Sequence, residues 1–124
     1  MTLLGTPDFV HGSRARVGVM LVNLGTPADP SPRSVRKYLA EFLSDPRVIE
    51  APRLLWWLVL HGVILRTRPQ RSAHAYQKIW TREGSPLLIE SRKLTAGLEA
   101  RLQQRFGDDV LVDLAMTYGQ PSIP

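Results

Sequence analysis

Residues 17–27 read VGVMLVNLGTP, and this stretch decides the fold of the chain. Its apolar first part predicts a buried strand over residues 17–23, because continuous Val-rich runs bounded by Gly and Pro are typical of buried strands. The Gly and Pro predict a loop over residues 24–30, and helical spacing begins at Ser31. A strand, a bent loop and a crossover helix in this order are typical of α/β domains. Ligands bind at the carboxyl ends of strands in open α/β sheets, so this loop is the first candidate site.

A second strand and loop lie at the far end of the chain. Apolar residues dominate 110–116 and predict a strand, and residues 118–121 turn away from it. Residues 121–124 read like the start of another helix, with Ser122 as its cap. Because the mean sheet has about 5–6 strands, two strands are too few for a stable domain of this class. We therefore expect part of a larger α/β domain, truncated after the second parallel strand.

The first helix of the connection has clear start and stop signals. Ser31 is a suitable cap, Pro32 suits the first turn, and Asp45-Pro46 ends the helix. One apolar face is formed by residues at helical spacing, namely Val35, Tyr38, Leu39, Phe42 and Leu43. A short extended piece is predicted at residues 48–50.

Three further helices are predicted, and they differ in character. Residues 53–65 are apolar on nearly all sides, which indicates a helix that is buried or that faces something apolar outside this chain. Residues 66–82 form a basic segment that contains a helix over residues 72–80. The last helix, residues 87–106, is long, amphipathic and ended by Gly107. Its apolar line consists of Leu87, Leu94, Leu98, Leu102 and Phe106.

The composition limits the classes of site. The chain has 124 residues, a formal net charge of +5 and no cysteine, which excludes disulfides and thiolate metal sites. His11, His61 and His74 are scattered, with no acidic residue at ligand spacing on one helix face, so no metal site is predicted. Arginine provides most of the positive charge and suits carboxylates and phosphates. Aromatic residues are not interleaved with the basic ones, so we do not expect nucleic-acid binding.

The ends of the chain and its longest apolar stretch bear on location. Residues 1–16 lack the basic start and apolar core of a secretory signal and are interpreted as a flexible lead-in to a domain over residues 17–124. Residues 54–65 fall short of the ~20 residues that a membrane-spanning helix needs. We expect a cytoplasmic protein, and residues 54–65 have two interpretations, peripheral membrane contact and plain core packing.

Four sequence blocks, in order, resemble the amino-terminal part of ferrochelatases, which insert ferrous iron into a porphyrin to make haem. The blocks are LVNLGTP (21–27), SVRKYLAEFLSDPRVIE (34–50), RPQRSAHAYQKIWTREGSPLL (68–88) and MTYGQPS (116–122). The resemblance implies a flavodoxin-like (chelatase-type), Rossmann-like three-layer domain, one of two similar halves that enclose the porphyrin.

The same resemblance implies substrates and a division of labour. Protoporphyrin IX or coproporphyrin III would be the porphyrin, ferrous iron would be the metal substrate, and no resident cofactor is expected. The family's catalytic histidine and its acidic partner lie in segments that follow the matched blocks. No catalytic residue is therefore assigned here, and we expect the 124-residue chain to be inactive on its own.

Seven residues are the candidates for contact with the porphyrin. Arg66 or Arg68 matches the arginine that binds a propionate, and the matched hydroxyls are those of Tyr76 and Ser85. Arginine can hold a carboxylate through two parallel hydrogen bonds, and each hydroxyl adds one.

The other three positions belong to the two strand-loops. Leu24 matches a residue that packs on the macrocycle, and Gly25 would let the backbone approach the ring closely. Thr117 is a departure, because many relatives have arginine there, and its neutral side chain removes one candidate cation.

Other interpretations stay open beside these. Tyr76 can be an amphipathic core residue, Ser85 can cap the 87–106 helix, and the remaining basic residues can form a solvated helix face. A different class of function also stays open, a small non-enzymatic module that binds an anionic cofactor through residues 66–82. No glycine-rich phosphate-binding motif supports that alternative.

Overall fold

A computed structural model describes residues 10–123 of the chain. Two parallel strands, β1 (Val17–Gly25) and β2 (Val110–Tyr118), pair from Val17 opposite Val110 to Gly25 opposite Tyr118. The predicted α/β class with a parallel sheet is confirmed. Each strand continues two residues beyond its predicted end, so Leu24, Gly25 and Thr117 belong to strands and not to loops.

Helix α1 (Pro32–Ser44) follows the loop after β1 and agrees with the sequence prediction. The Ser31 hydroxyl accepts a hydrogen bond from the Ser34 N–H at 3.3 Å, and Asp45 is the C-terminal cap residue. The chain then turns, because the Val48 N–H donates to the Asp45 carbonyl at 3.0 Å. The extended piece predicted at residues 48–50 is therefore wrong at its start.

A continuous helical segment replaces the two separate helices predicted for residues 53–65 and 72–80. It consists of α2 (Arg53–Val59), a wider π-helical turn (Leu60–Ile64) and α3 (Leu65–Ile79). Pro69 lies inside α3, where a proline removes one helical hydrogen bond and crowds the preceding turn. The wider turn lies just before that crowded position, and the helix passes through the proline.

Helix α4 (Pro86–Phe106) ends at Gly107, as predicted, with φ of +67° at that glycine. A single 3₁₀ turn, Gly107–Asp109, leads into β2. The predicted apolar line of α4 is only partly covered, since Leu94 and Phe106 are more than half exposed. After β2, Ser122 forms an isolated bridge with Met116, whereas the sequence predicted a helix cap there.

The main core lies between α1 and α3 and does not lie on the sheet alone. It is formed by buried side chains from α1, from the long helical segment and from the end of β2, namely Val35, Tyr38, Leu39, Leu43, Leu60, Leu65, Ala73 and Tyr118. Helix α4 packs against β2 and, less extensively, against β1. The prediction of a buried first strand is wrong for the described residues, because Val17, Met20 and Val22 are each more than half exposed.

The lead-in is described only from Val10 onward, and residues 1–9 lie outside the described part of the chain. Residues 10–16 contain one turn and neither helix nor strand. The Arg14 guanidinium pairs with the Asp109 carboxylate at 2.5 Å, which joins this segment to the start of β2.

Candidate functional site

The carboxyl ends of the parallel strands β1 and β2 lie side by side at very close range. Gly25 has a φ of +124°, and a Cβ at this position would overlap the Tyr118 carbonyl oxygen. Gly119 has a φ of +81°, and its Cβ would lie 2.7 Å from the Thr26 carbonyl oxygen. Only glycine fits these two positions, because both the backbone angle and the free space exclude a side chain. The sequence prediction placed Gly25 against a ligand, whereas its closest neighbour here is the backbone of β2.

A pair of buried hydroxyls joins the loop after β1 to the start of α4. The Thr26 hydroxyl donates to Ser85 Oγ at 2.8 Å, and each residue is only 4% exposed. Ser85 occupies the N-cap position of α4, yet its side chain makes no capping hydrogen bond. The interpretation of Ser85 as a side-chain cap is therefore wrong, and its hydroxyl faces the first strand-loop instead.

A second polar link lies beside the first one. The Asn23 side-chain amide donates to Ser91 Oγ at 3.1 Å, and Ser91 is buried on α4. Two hydrogen bonds thus hold the end of β1 and its loop against the first turns of α4. This arrangement fixes the spacing between the LVNLGTP and GSP segments, which are remote in the sequence.

An open cleft of about 440 Å³ lies where these segments meet. Its walls come from the loops after β1 and β2, the turn before α4 and the first turns of α4, and the residues are Thr26, Pro27, Ala28, Trp80, Glu83, Gly84, Ser85, Leu88, Arg92, Gln120 and Pro121. The walls combine an indole ring and aliphatic carbons with hydroxyl, amide and guanidinium groups and with the Glu83 carboxylate. Such a lining suits a flat apolar ligand that carries acidic groups.

Tyr38, on α1, holds the backbone at the carboxyl end of β1. The Tyr38 hydroxyl donates to the Gly25 carbonyl oxygen at 3.2 Å. Burial raises the pKa of Tyr38 to about 12, so the phenol keeps its proton at neutral pH. The hydrogen bond therefore holds the Gly25 backbone in place throughout the physiological pH range.

An acidic group holds the end of β2. The Tyr118 hydroxyl donates to Asp45 Oδ2 at 2.7 Å, and the Arg47 guanidinium donates to both oxygens of the same carboxylate. These hydrogen bonds hold the pKa of Asp45 well below its ordinary value, and the bond from Arg47 contributes most to the lowering. Glu41 accepts a hydrogen bond from the Gly119 N–H at 3.1 Å. Carboxylates thus hold the Tyr118 side chain and the Gly119 backbone at the end of β2.

The predicted ring-facing residues lie together at the strand ends. Leu24 is half exposed, and its side chain is available for an apolar contact. The Thr117 hydroxyl donates to the Asn23 carbonyl at 3.3 Å, across the two strands. Ser85 and Gly25 lie within the same region, through the contacts given above.

The predicted basic residues lie elsewhere on the long helical segment. Arg66 and Arg68 are exposed on α3, and neither forms an ion pair within residues 10–123. Arg68 lines a separate groove of about 400 Å³ together with Arg71. That groove shares no lining residue with the cleft at the strand ends. The chain as described therefore does not gather all seven predicted residues around one cavity.

Tyr76 lies between these two groups. It is half-buried against the core, so the core interpretation of this residue is supported, and burial raises its pKa. Its ring meets that of Trp80 edge-on, with 6.3 Å between the centroids, and Trp80 lines the cleft. Tyr76 is thus one side chain away from the cleft.

Ser85 is the one predicted site residue among those that line the cleft, and the lining residues that the sequence did not identify include Thr26, Trp80 and Arg92. Thr26 lies within the stretch that decides the fold, but its partner is 59 residues away. Trp80 follows the end of α3 and Arg92 lies in the second turn of α4, and no local sequence pattern relates the two. The one signal available in the sequence was proximity to the GSP segment (84–86), which matches the family and lies close to Trp80 along the chain.

The apolar segment at residues 54–65 is only partly packed. The Trp56 indole N–H donates to the Leu43 carbonyl at 2.6 Å and packs on the core, whereas Trp57 is 55% exposed and stacks on His61. Leu54, Leu55 and Leu58 are also more than half exposed. Among the described residues, no helix has the length and apolar character required to cross a membrane.

No group of three or more metal-ligating side chains comes together within residues 10–123. The acidic residues nearest the strand ends, Glu41 and Asp45, are each engaged by a hydrogen-bond donor. The hydroxyl and guanidinium groups of the cleft suit the binding of an organic anion, and Glu83 adds one carboxylate to its lining.

Comparison with known proteins gives one consistent family. The family model described as ferrochelatase matches residues 16–124. A protein of Idiomarina loihiensis named ferrochelatase is 52% identical over 123 residues, which cover 99% of this chain and 34% of that protein. A ferrochelatase of Marinobacter nauticus is 55% identical and covers 97% of this chain and 32% of the relative. A protein of Shewanella oneidensis named ferrochelatase 2 is 56% identical, over 91% of this chain and 34% of the relative. The chain spans about a third of the length of these relatives.

Proposed function

This chain belongs to the ferrochelatase family, and from that membership we propose that it forms part of the porphyrin-binding cleft of an enzyme that inserts ferrous iron into a porphyrin. One observation carries the proposal from the side of the geometry. The loops that follow the two parallel strands and the buried Ser85 form one open cleft with apolar and polar walls. Ligands of open α/β sheets bind at such strand ends.

The carboxylates of the porphyrin are assigned to polar side chains around this cleft. Ser85 lines the cleft directly, and Tyr76 is separated from it by the Trp80 ring. Arg66 and Arg68 have exposed guanidinium groups without ion-pair partners in residues 10–123, so they are available to a carboxylate. Because Arg68 lines a separate groove, a porphyrin carboxylate would be held between α3 and the strand ends and not inside the cleft alone.

The macrocycle is assigned to the strand ends. Leu24 offers a half-exposed apolar side chain, and the neighbouring Gly25 keeps this end of β1 free of a second side chain. Thr117 contributes a hydroxyl that is already bonded to the β1 backbone, so its role is to hold the two strand ends in register.

Metal insertion requires the loss of two pyrrole protons as ferrous iron enters the ring, and a base must accept them. The cleft lining contains hydroxyls, an arginine, apolar groups and one carboxylate, that of Glu83, and it contains no histidine. The resemblance puts the family's catalytic histidine and its acidic partner in later segments, so we assign to this part of the protein the binding and orientation of the porphyrin and of its acidic edge. We propose that the proton acceptor lies in a part of the protein outside these residues, so that the 124-residue chain alone does not catalyse insertion.

We also assign membrane contact to the exposed apolar side of α2. Leu54, Leu55, Trp57 and Leu58 are exposed there, and Arg53 precedes them at the helix start. Apolar residues with an indole and a flanking cation are typical of helices that lie in the membrane interface. The protein would then work at the cytoplasmic surface of a membrane without spanning it.

The test uses the natural gene product that contains this sequence. Insertion of Fe²⁺ or Zn²⁺ is followed by absorbance with protoporphyrin IX and with coproporphyrin III as separate substrates. We expect insertion into at least one of them, and no insertion by the 124-residue chain. Titration of that chain with porphyrin and with nucleotides separates the proposal from an anionic-cofactor module. Tight nucleotide binding together with no porphyrin binding and no metal insertion would overturn the proposal.

A further inference from the structure

The Thr26–Ser85 hydrogen bond has no counterpart in ordinary helix capping. Ser85 holds the N-cap position of α4, where a serine side chain usually accepts a hydrogen bond from the helix backbone. Here Ser85 Oγ accepts from the Thr26 hydroxyl at 2.8 Å instead. The side chain has been turned away from the helix and toward the cleft that both residues line.

The 2.8 Å contact joins two hydroxyls, each of which has one hydrogen to donate and accepts through its oxygen. With Thr26 as the donor, Ser85 Oγ accepts and its own hydrogen remains for another acceptor. Both residues are 4% exposed, so water competes little for either group. The cleft is the open side of the pair.

We propose that Thr26 is a positioning residue, whose hydroxyl holds Ser85 in the orientation that donates to a carboxylate of the bound porphyrin. This inference rests on the proposed function and deepens it, since it names a residue that acts on the porphyrin through Ser85. The Thr26 side chain thereby sets the affinity for the acidic edge of the porphyrin. It leaves the insertion step unchanged.

The experiment measures metal insertion by the natural gene product and by its Thr26→Val variant. Valine has the shape of threonine without the hydroxyl. Loss of one hydrogen bond predicts a rise in the porphyrin KM of about 5-fold, with kcat within about 2-fold of the parent. Thr26→Ser restores the hydroxyl and should return the KM. In a protein that already carries Ser85→Ala, the change Thr26→Val should not raise the porphyrin KM further, because both changes act through the Ser85 hydroxyl.

A porphyrin whose propionates are methyl esters supplies the sharper arm. Without carboxylates there is no charged acceptor for Ser85, so the parent and Thr26→Val proteins should show the same KM for the ester. A structural role of Thr26 predicts a different pattern, with lowered stability and equal effects on both porphyrins. A freed Ser85 can return to capping α4, and the thermal midpoint of Thr26→Val should therefore change little.

Thr95→Val is the matched control, because its hydroxyl donates at 2.8 Å to the Ser91 carbonyl within α4 and does not line the cleft. An unchanged porphyrin KM in Thr26→Val, in a parent that inserts metal, overturns this inference and leaves the proposed function intact. A parent that inserts no metal overturns the proposed function itself. If Thr26→Val fails to fold, the Thr26→Ala and Thr26→Ser pair provides the same comparison, and equal KM values for these two overturn the inference.

Discussion

The Tyr118 hydroxyl donates to Asp45 Oδ2 at 2.7 Å and joins the end of β2 to the end of α1. Asp45 also accepts from Arg47, and its side chain is 9% exposed. This contact places one carboxylate at the junction of the helical core and the sheet. The stability of the strand ends is thereby linked to the ionisation of Asp45.

The pH dependence of unfolding tests that link. Arg47 and Tyr118 lower the pKa of Asp45, so the carboxylate stabilises the folded state above its ordinary pKa of about 4. That contribution is lost as the pH falls through and below that value. Thermal midpoints of the parent and Asp45→Asn proteins should differ at pH 7 and converge between about pH 4 and pH 2. A constant difference over this range would show that Asp45 acts through packing and not through its charge.

Gly25→Ala should be among the most destabilising single changes in the chain. The added Cβ would overlap the Tyr118 carbonyl oxygen, and the φ of +124° is unfavourable for alanine. We expect a loss of more than about 2 kcal/mol in the free energy of unfolding, measured by urea denaturation. Gly97→Ala is the control, because a Cβ there meets nothing within 4 Å on α4 and should add about 0.5–1 kcal/mol. Equal losses of stability at the two glycines would contradict the close backbone contact between the strand ends.

Removal of the guanidinium groups of Arg66 and Arg68 should weaken porphyrin binding. Each side chain is exposed and unpaired within the described residues, so the double change to alanine should cost little stability. Charged hydrogen bonds to a carboxylate predict a loss of affinity of about 10-fold or more, read from fluorescence quenching in low salt. As the control, the double change Arg101→Ala and Arg105→Ala, at exposed positions of α4, removes the same charge and should leave the affinity unchanged. An equal loss of porphyrin affinity in the control would show that the effect comes from the net charge of the protein and not from Arg66 and Arg68.

Replacement of Trp57 by alanine tests the membrane contact. Trp57 is 55% exposed on α2, and its loss removes apolar area without disturbing the core. Co-sedimentation of the protein with anionic lipid vesicles should fall by about 3-fold or more, since an indole contributes strongly at the membrane interface. Leu94→Ala is the control, because Leu94 is 62% exposed on α4, away from this segment. Equal retention of the Trp57→Ala and parent proteins on vesicles would remove the assignment.

Local signals explain which elements could be predicted from the sequence. Helix α1 was predicted at both ends because Ser31, Pro32 and Asp45 act on their immediate neighbours. The two strands were predicted because apolar runs between turn residues need no knowledge of distant partners. The long helix was wrongly divided into helices over residues 53–65 and 72–80, since the sequence does not reveal that the wider turn lets it continue through the basic segment.

The site was less accessible from the sequence for a physical reason. Ser85 was identified by resemblance, but its local interpretation as a cap gave way to a hydroxyl 59 positions away. Gly25 was identified as a point of close approach, but the neighbour turned out to be the end of β2. Exposure of β1 followed from how little of it the helices cover, which no property of residues 17–23 encodes.

The unbroken run from Arg53 to Ile79 acts as a rod, at most roughly 40 Å long at 1.5 Å rise per residue. Its exposed apolar tip lies at one end, and Tyr76 lies near the other beside the Trp80 ring. If the tip rests on a lipid surface, the rod sets the height of the cleft mouth above that surface and the angle at which it opens.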